Sequence, residues 1–203
     1  LAWRGPPFDR LVDDGPALDV LTTLLVGTDD GQGRLDQALA KVPGLTQWHL
    51  ETFTEVYDQR GLWVLLVRLP DGADRALVRE RLLAELQNLD TAVTDAVAVP
   101  EEALDAARRH CATAHALSLE DQAATMRAHA MAYLRGHLTH WHSYDKRIQT
   151  ATTREDLQRV TELYLQGAPL VVELSPAVSA EATTAVAPAG DDTSATGEEV
   201  LHE

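Results

Sequence analysis

The residues best suited to metal or acid–base chemistry are histidines gathered in two short stretches. His137, His140 and His142 lie close together, and imidazole nitrogens are common zinc ligands. On a helix His137 and His140 would share a face and His142 would not. No carboxylate completes an obvious ligand set, although Asp145 follows nearby. The pattern therefore favours exposed or hydrogen-bonded histidines over a native metal site.

The second stretch combines His110 and His115 with the single cysteine, Cys111. Cys111 and His115 are four residues apart, so they would share a helical face, but two ligands do not make a metal site. Nucleophilic catalysis by Cys111 would need an accessible thiolate with His115 as its base. Cys111 falls instead on the apolar face of the predicted helix, which indicates a buried, inert thiol.

Two other patterns have ordinary structural interpretations. The glycines within 27–33 are not followed by Gly-Lys-Ser/Thr, so they indicate a turn and not a phosphate loop. Asp29-Asp30 lies in that turn. Glu101-Glu102 follows Pro100, where acidic side chains stabilise the start of a helix. Acid–base catalysis by either carboxylate pair is the weaker interpretation.

Two strands are predicted in the first half of the chain. In 48–57 apolar and polar residues alternate, which is typical of a half-buried strand. The apolar run of 62–69 is nearly continuous, so both faces of that strand are expected to be covered. A hairpin turn at 59–61 would join them. The aromatic residues near this hairpin are most simply packing residues, with peptide binding at the sheet as the alternative.

Helical spacing of apolar residues accounts for most of the remaining chain. It predicts helices that begin near Pro16, after Gly33, at Asp74, Pro100, Ser118 and Thr153, and one within 141–150, with Gly27 as the end of the first. Thr153 and Asp156 resemble a capping box. The apolar residues expected to share one side of a helix are Leu35, Ala38 and Leu39; Leu119, Ala123, Met126, Ala130 and Tyr133; and Leu157, Val160 and Leu163, the last three facing inward. Short strands are predicted within 91–99 and at 170–174. Adjacent strands and grouped helices together predict an α+β fold, with helices packed on one mixed or antiparallel sheet.

Composition narrows the classes of partner. The 203 residues include 17 Lys+Arg and 32 Asp+Glu, for a net charge of −15. That charge disfavours nucleic acid and anionic membrane surfaces as partners. Only two of the bases are lysine, Lys41 and Lys146, and Arg over Lys with abundant Ala is typical of a GC-rich, bacterial genome. One cysteine excludes an internal disulfide and a cysteine-based zinc cluster.

The two ends of the chain carry further expectations. Residues 177–203 are rich in Ala, Thr and acids without apolar periodicity, so they are predicted to form a disordered acidic tail after a domain at 1–176. No signal peptide and no apolar run of about 20 residues is visible, which leads us to expect a cytoplasmic protein. The chain starts at Leu1-Ala2-Trp3, like the end of a strand, and this suggests a piece of a longer protein.

Several local phrases, in their order and spacing, resemble the second, non-zinc domain of the pitrilysin/insulinase family of metallopeptidases. The resemblance covers 1–176. The phrases are Trp3-Arg4-Gly5-Pro6, the leucine-rich 17–25, Gly31-Gln32-Gly33-Arg34-Leu35, Arg60-Gly61-Leu62-Trp63, 99–108 and 154–165. The family has Ser where Gly33 stands. The resemblance implies a half-domain of helices on a sheet, of the α/β-roll type, paired with a zinc domain.

The family's chemistry depends on an inverted zinc motif, His-x-x-Glu-His, in the first domain. There, two imidazoles and a later Glu hold zinc, and the Glu within the motif activates water. This sequence lacks the motif. The resemblance therefore implies no catalytic residue, metal ligand or cofactor on this chain, with zinc on an upstream domain or on a partner.

The family's second domain often supplies an Arg and a Tyr, seven positions apart, which help to hold the substrate carbonyl. The matching positions here are Ala40 and Gln47. A methyl group offers no charge to a developing oxyanion, so the substrate-binding pair is absent. Lys41 is one residue from the Arg position, but on a helix the next side chain points about 100° away.

Four interpretations of the chain remain open. The leading one is the second half of a zinc-bearing subunit, which shapes the peptide chamber and the subunit interface. Its expected partners are its own N-terminal zinc domain, a homologous subunit in a hetero- or homodimer, and a peptide substrate. The alternatives are an inert partner subunit, which would be expected to keep the Arg/Tyr pair, and a degenerate member that acts as a structural subunit. An unrelated α+β binding domain is the remaining alternative.

Overall fold

The predicted hairpin is the centre of an antiparallel sheet. The computed structural model describes residues 1–28, 31–56, 60–134 and 143–174. Strand β4 (His49–Val56) pairs with β5 (Gly61–Arg68), and β1 (Ala2–Gly5) pairs with the other edge of β5. Trp3 faces Trp63 across β1 and β5, with ring centroids 5.5 Å apart. The α+β prediction and both strand predictions are confirmed.

The prediction that both faces of β5 are covered is wrong. Trp63 and Leu65 are buried, because they face the helices. On the opposite face Leu62 is 41% exposed, and Phe53 of β4 is 43% exposed. Apolar continuity therefore does not imply helices on both sides of this sheet.

A long first helix, α1 (Phe8–Val26), crosses the buried face of the sheet. Its start was predicted near Pro16, but Pro16 lies inside the helix and is buried. Proline removes one helical hydrogen bond, and the burial of Leu18, Leu21 and Leu25 offsets that loss. Gly27, with φ of 91°, ends the helix as predicted.

A small ribbon and a short helix follow α1. Strands β2 (Gly27–Thr28) and β3 (Gly31–Gln32) pair in antiparallel fashion and lead into α2 (Arg34–Leu39). The buried side chains of α2 are Leu35, Ala38 and Leu39, as the spacing predicts.

The second half is helical. Its helices are α3 (Arg75–Gln87), α4 (Leu89–Thr94), α5 (Glu101–Ser118), α6 (Gln122–Leu134), α7 (Tyr144–Ala151) and α8 (Arg154–Tyr164). Asp74 caps α3, accepting a hydrogen bond from the Leu77 N–H. The predicted capping box of α8 is present, with reciprocal bonds between Thr153 and Asp156. Helices α5, α7 and α8 pack against α1.

Predictions for four elements fail for identifiable reasons. The strand predicted within 91–99 is replaced by α4, because Leu89, Ala92 and Val93 recur at helical spacing and are buried. The strand at 170–174 is a single bridge, Leu170 to Ala2.

The other two failures concern α6 and α8. Asp121, and not Ser118, caps α6, accepting bonds from Ala123 and Ala124 N–H groups at 3.0 Å. The apolar line predicted on α6 is exposed, with Met126 and Tyr133 both at 73%.

In α8 it is Thr161 that lies inside, fully buried, while Leu163 is 61% exposed. The Thr161 hydroxyl reaches the Leu157 carbonyl at 2.8 Å, which satisfies its polar group inside the core.

Contacts divide the chain into two units, Leu1–Val172 and Glu173–Glu203. All the elements named above belong to the first unit. Of the second, the structure describes only Glu173 and Leu174, so the predicted domain end at 176 and the tail at 177–203 stay predictions.

Candidate functional site

The segment from α2 to β4 carries Ala40 and Gln47, the two positions that the family resemblance aligns with the Arg/Tyr pair. Ala40 is the C-terminal cap of α2, and Gln47 lies in the connection to β4; both are exposed. Trp48 Nε1 donates to Asp36 Oδ1 at 2.7 Å, which ties the end of this connection back to α2. The segment is therefore held in place, although Ala40 and Gln47 offer neither a cation nor a phenol.

Gly33, where the family has Ser, lies where the chain passes close to itself. A Cβ at Gly33 would lie 2.3 Å from the Leu25 carbonyl oxygen and 2.4 Å from the Gly27 nitrogen. Because both neighbours are backbone atoms, a side chain would require the ribbon and α1 to separate. This departure from the family phrase thus matches the local packing of this chain.

A cavity of about 460 Å³ opens beside this segment, between α2, the end of α1 and the start of α5. Arg34, Gln37 and Lys41 line it, and Ala40 does not. Arg34 has a structural role, since its guanidinium donates hydrogen bonds to Glu85 Oε1 at 2.5 Å and to the Ala98 carbonyl at 3.2 Å. Lys41 is exposed and remains the cation at the cavity rim that could attract a carbonyl or carboxylate oxygen.

The second stretch with candidate chemistry forms a partly buried cluster farther along the contact between α1 and α5. Cys111 is 6% exposed, and burial raises the pKa of its thiol to about 11. Its Sγ lies 3.3 Å from Thr23 Oγ1. At neutral pH Cys111 is therefore a protonated packing residue, which agrees with the prediction of an inert thiol.

His115 and His110 border the same cluster. The His115 ring centroid lies 4.5 Å from that of Tyr144, and His115 Nε2 lies 3.9 Å from Asp145 Oδ1. His110 is exposed on α5.

The sequence interpretation missed the centre of this cluster, Asp19. The Tyr144 hydroxyl donates to Asp19 Oδ2. Burial raises the pKa of Asp19 to about 6, and it also raises the pKa of Tyr144. A detectable signal was present, because Asp19 is the one charged residue in the leucine-rich stretch 17–25.

The described residues include many potential metal ligands, namely the side chains of His, Cys, Asp and Glu. Among residues 1–28, 31–56, 60–134 and 143–174, no three His, Cys, Asp or Glu side chains converge on a point that could hold a metal ion. His137, His140 and His142 lie outside the described residues. In the part of the chain that the structure describes, no helix has the length and apolarity needed to cross a membrane.

Comparisons with known proteins identify the fold. No family model matches the sequence, and no curated protein matches it. The inactive peptidase domain of a protein assigned as a zinc protease from Bordetella parapertussis is similar, with 24% identity and a TM-score of 0.62 over 81% of this chain and 84% of that one. A protein assigned as a zinc protease from Bordetella pertussis Tohama I gives 22% identity, a TM-score of 0.61 and coverages of 81% and 86%.

A larger protein shares the same domain. An M16-like peptidase from Alicyclobacillus acidocaldarius gives 19% identity and a TM-score of 0.63 over 81% of this chain, but only 37% of its own length. The chain therefore has the fold of an M16-like peptidase domain, which confirms the predicted half-domain architecture.

Proposed function

We propose that this chain is the non-zinc-binding half of a pitrilysin/insulinase-type zinc metalloendopeptidase subunit. In this role it shapes one wall of the peptide chamber and the interface with a homologous subunit, in a bacterial, cytoplasmic hetero- or homodimer. The observation that carries the proposal is the fold, similar to peptidase domains of proteins assigned as zinc proteases, together with the ordered family phrases in the sequence.

In this proposal zinc does not bind to this chain. The described residues do not fit a zinc centre, since no three potential ligands converge. The His-x-x-Glu-His motif is also absent from the sequence. The metal and the water-activating Glu would therefore reside on an upstream domain of a longer protein or on a partner subunit.

The α2–β4 segment supports assignment of this chain to a zinc-bearing subunit. A cation and a phenol at the substrate carbonyl are needed once per active site, so a zinc-bearing subunit tolerates their loss if its partner supplies them. Ala40 and Gln47 are exposed, and neither side chain supplies a cation or a phenol. This suits a zinc-bearing subunit whose partner binds the substrate carbonyl.

One observation favours a second function, a degenerate and non-catalytic member that acts in an assembly. The similar Bordetella parapertussis domain is itself described as inactive. In that case no zinc motif would accompany this domain, and its role would be to bind other subunits. The residues encoded before Leu1 separate the two functions, because only the first requires His-x-x-Glu-His there.

The functional test uses the longer protein that carries such a motif, assayed alone on unstructured peptides. Restoring the pair with Ala40→Arg and Gln47→Tyr is expected to raise kcat/KM by about 10²–10³, the range for one oxyanion-type donor. The matched control, Lys41→Arg with Thr46→Tyr, introduces the same side chains one residue away and is expected to change little. If the unmodified protein alone cleaves as fast as any mixture with a partner, the assignment of Ala40 and Gln47 is wrong.

A further inference from the structure

Helix α1 carries two aspartates that are bound in parallel ways. Asp14 is 1% exposed; it accepts the hydroxyl of Tyr164 and also an Arg159 N–H. Asp19, about one and a half turns later, accepts the hydroxyl of Tyr144. Each carboxylate thus meets a tyrosine from a later helix, but only Asp14 also meets a cation.

The difference is a missing positive charge at Asp19. Among the described residues no Lys or Arg pairs with Asp19, and the Tyr144 hydroxyl is the side-chain donor that reaches it. A carboxylate withdrawn from water without a cation is costly.

Where Arg159 fills the space beside Asp14, a cavity of about 270 Å³ borders Asp19. Its lining includes Thr22, Thr23, His110, Cys111, His115 and Tyr144. Asp19 as a residue is half-buried and is among those that line this space.

We propose that this cavity binds a small organic cation, a primary ammonium or guanidinium group, which pairs with Asp19 as Arg159 pairs with Asp14. Among the described residues, Asp19 is the only acidic one that lines the cavity, and the charge-assisted bond to it determines the sign of the ligand. His115 and Tyr144, whose rings contact each other with centroids 4.5 Å apart, also line the cavity, and aromatic rings attract cations.

The size of the cavity limits the ligand. A volume of about 270 Å³ is just below the roughly 300 Å³ at which pockets for drug-sized molecules begin. The cavity therefore suits a group the size of a lysine or arginine side chain. Such a group comes either from a free alkylamine or from a basic side chain of a bound peptide. This proposal does not depend on the peptidase function.

The test titrates the 203-residue chain at pH 7.5 with n-butylammonium and follows the amide resonances of Thr22, Thr23 and His115. Saturable shifts are expected, and n-butanol, which has the same length but no charge, should bind at least about tenfold more weakly. A lysine blocked at both ends provides the second arm. Binding of n-butylammonium alone indicates a free amine, whereas binding of both indicates a peptide side chain, and either result supports the site.

Variants assign the binding to Asp19. Asp19→Asn should weaken n-butylammonium by at least about tenfold. Asp13→Asn removes the same charge from an exposed position on the same helix and should not. If Asp19→Asn does not fold, the contrast between n-butylammonium and n-butanol on the unmodified chain decides. Equal binding of the two probes, no saturable shift, or unchanged binding by Asp19→Asn would each overturn the proposal.

Discussion

Asp14 and Asp19 are both carboxylates withdrawn from water, and their surroundings stabilise them to different degrees. Both carboxylates lie on α1 against later helices, and both accept a tyrosine hydroxyl. Arg159 completes the first set, and its own pKa is raised by the bond to Asp14. The second set has no cation among the described residues, and burial raises the pKa of Asp19 to about 6.

This difference separates a structural site from a candidate binding site. A buried carboxylate with two donors fixes α8 to α1 and leaves no room for another group. A carboxylate with one donor beside a cavity costs folding free energy until a cation binds. The missing partner at Asp19 is therefore more informative than the complete set at Asp14.

Breaking the complete set is expected to have the largest effect. Arg159→Leu leaves Asp14, 1% exposed, with Tyr164 as its remaining side-chain donor. The free energy of unfolding should fall by about 3 kcal/mol, the low end for a broken buried pair, because the Arg159 side chain is 41% exposed.

Urea denaturation at pH 7 measures this loss. Asp13→Asn is the control, since Asp13 is 69% exposed beside Arg147, and it should cost less than about 1 kcal/mol. Equal losses in the two variants would contradict the importance of burial at Asp14.

The tyrosines should differ in the same sense. Tyr144→Phe removes the one side-chain donor of Asp19, so a loss of about 2 kcal/mol in the free energy of unfolding is expected. Tyr164→Phe leaves Asp14 bound to Arg159, and the expected loss is about 1 kcal/mol. Thermal and urea denaturation of both variants would compare them. A larger loss for Tyr164→Phe would reverse the comparison.

Asp19→Asn is expected to stabilise the protein, with a pH dependence of defined sign. The pKa of Asp19 is raised from 3.8 to about 6 on folding, so the ionised carboxylate destabilises the folded state above pH 6. At about 1.4 kcal/mol per pKa unit this amounts to about 3 kcal/mol. Burial of the Asn amide group costs about 1 kcal/mol or more, which reduces this gain in the free energy of unfolding.

The net gain from Asp19→Asn should thus be about 1–2 kcal/mol at pH 8. It should shrink as the pH falls through 6 and turn into a loss of less than about 1 kcal/mol near pH 4, where Asp19 is protonated in the folded state and the cost of the buried amide remains. The same denaturation series at pH 8, 6 and 4 measures it. A gain that grows on acidification would show that Asp19 is a stabilising anion.

Supplying a cation from the protein should have the smallest effect. Ala114 lines the cavity from α5 and is exposed, so Ala114→Lys places an ammonium near Asp19. The pKa of Asp19 should fall below 6, with less than about 1 kcal/mol gained at pH 8, as for an exposed pair. Ala116→Lys, on the same helix but outside the cavity, is the control. Equal pKa values of Asp19 in the two variants would argue against an uncompensated charge.

The sequence predicts the strands and helix caps of this molecule better than the contacts between its buried polar side chains. The strands 48–57 and 62–69 were found because alternation reports directly on one buried face. The capping box at Thr153 was found because it depends on residues three apart. The apolar line with Met126 and Tyr133 on α6 was wrongly predicted to be buried. Apolar spacing shows which residues share a helix face, but not whether another element packs against that face.

The polar clusters depend on long-range contacts that spacing cannot show. Asp19 and Tyr144 are 125 residues apart, and Asp14 and Arg159 are 145 apart. From the sequence, Asp19 is one acid in an apolar stretch and Tyr144 one residue of a short helix. By contrast, Ala40 and Gln47 followed from the family resemblance, because those positions are defined by local spacing.

A ¹³C NMR titration of the Asp19 carboxyl carbon, in the unmodified chain without added amine, tests the central comparison most directly. Selective assignment is available from the Asp19→Asn variant, which lacks that resonance. The account predicts a midpoint near pH 6 for Asp19, and a lower midpoint once n-butylammonium is present. A midpoint near 3.8, the ordinary value, would show that Asp19 is already hydrated or compensated, and would contradict the account.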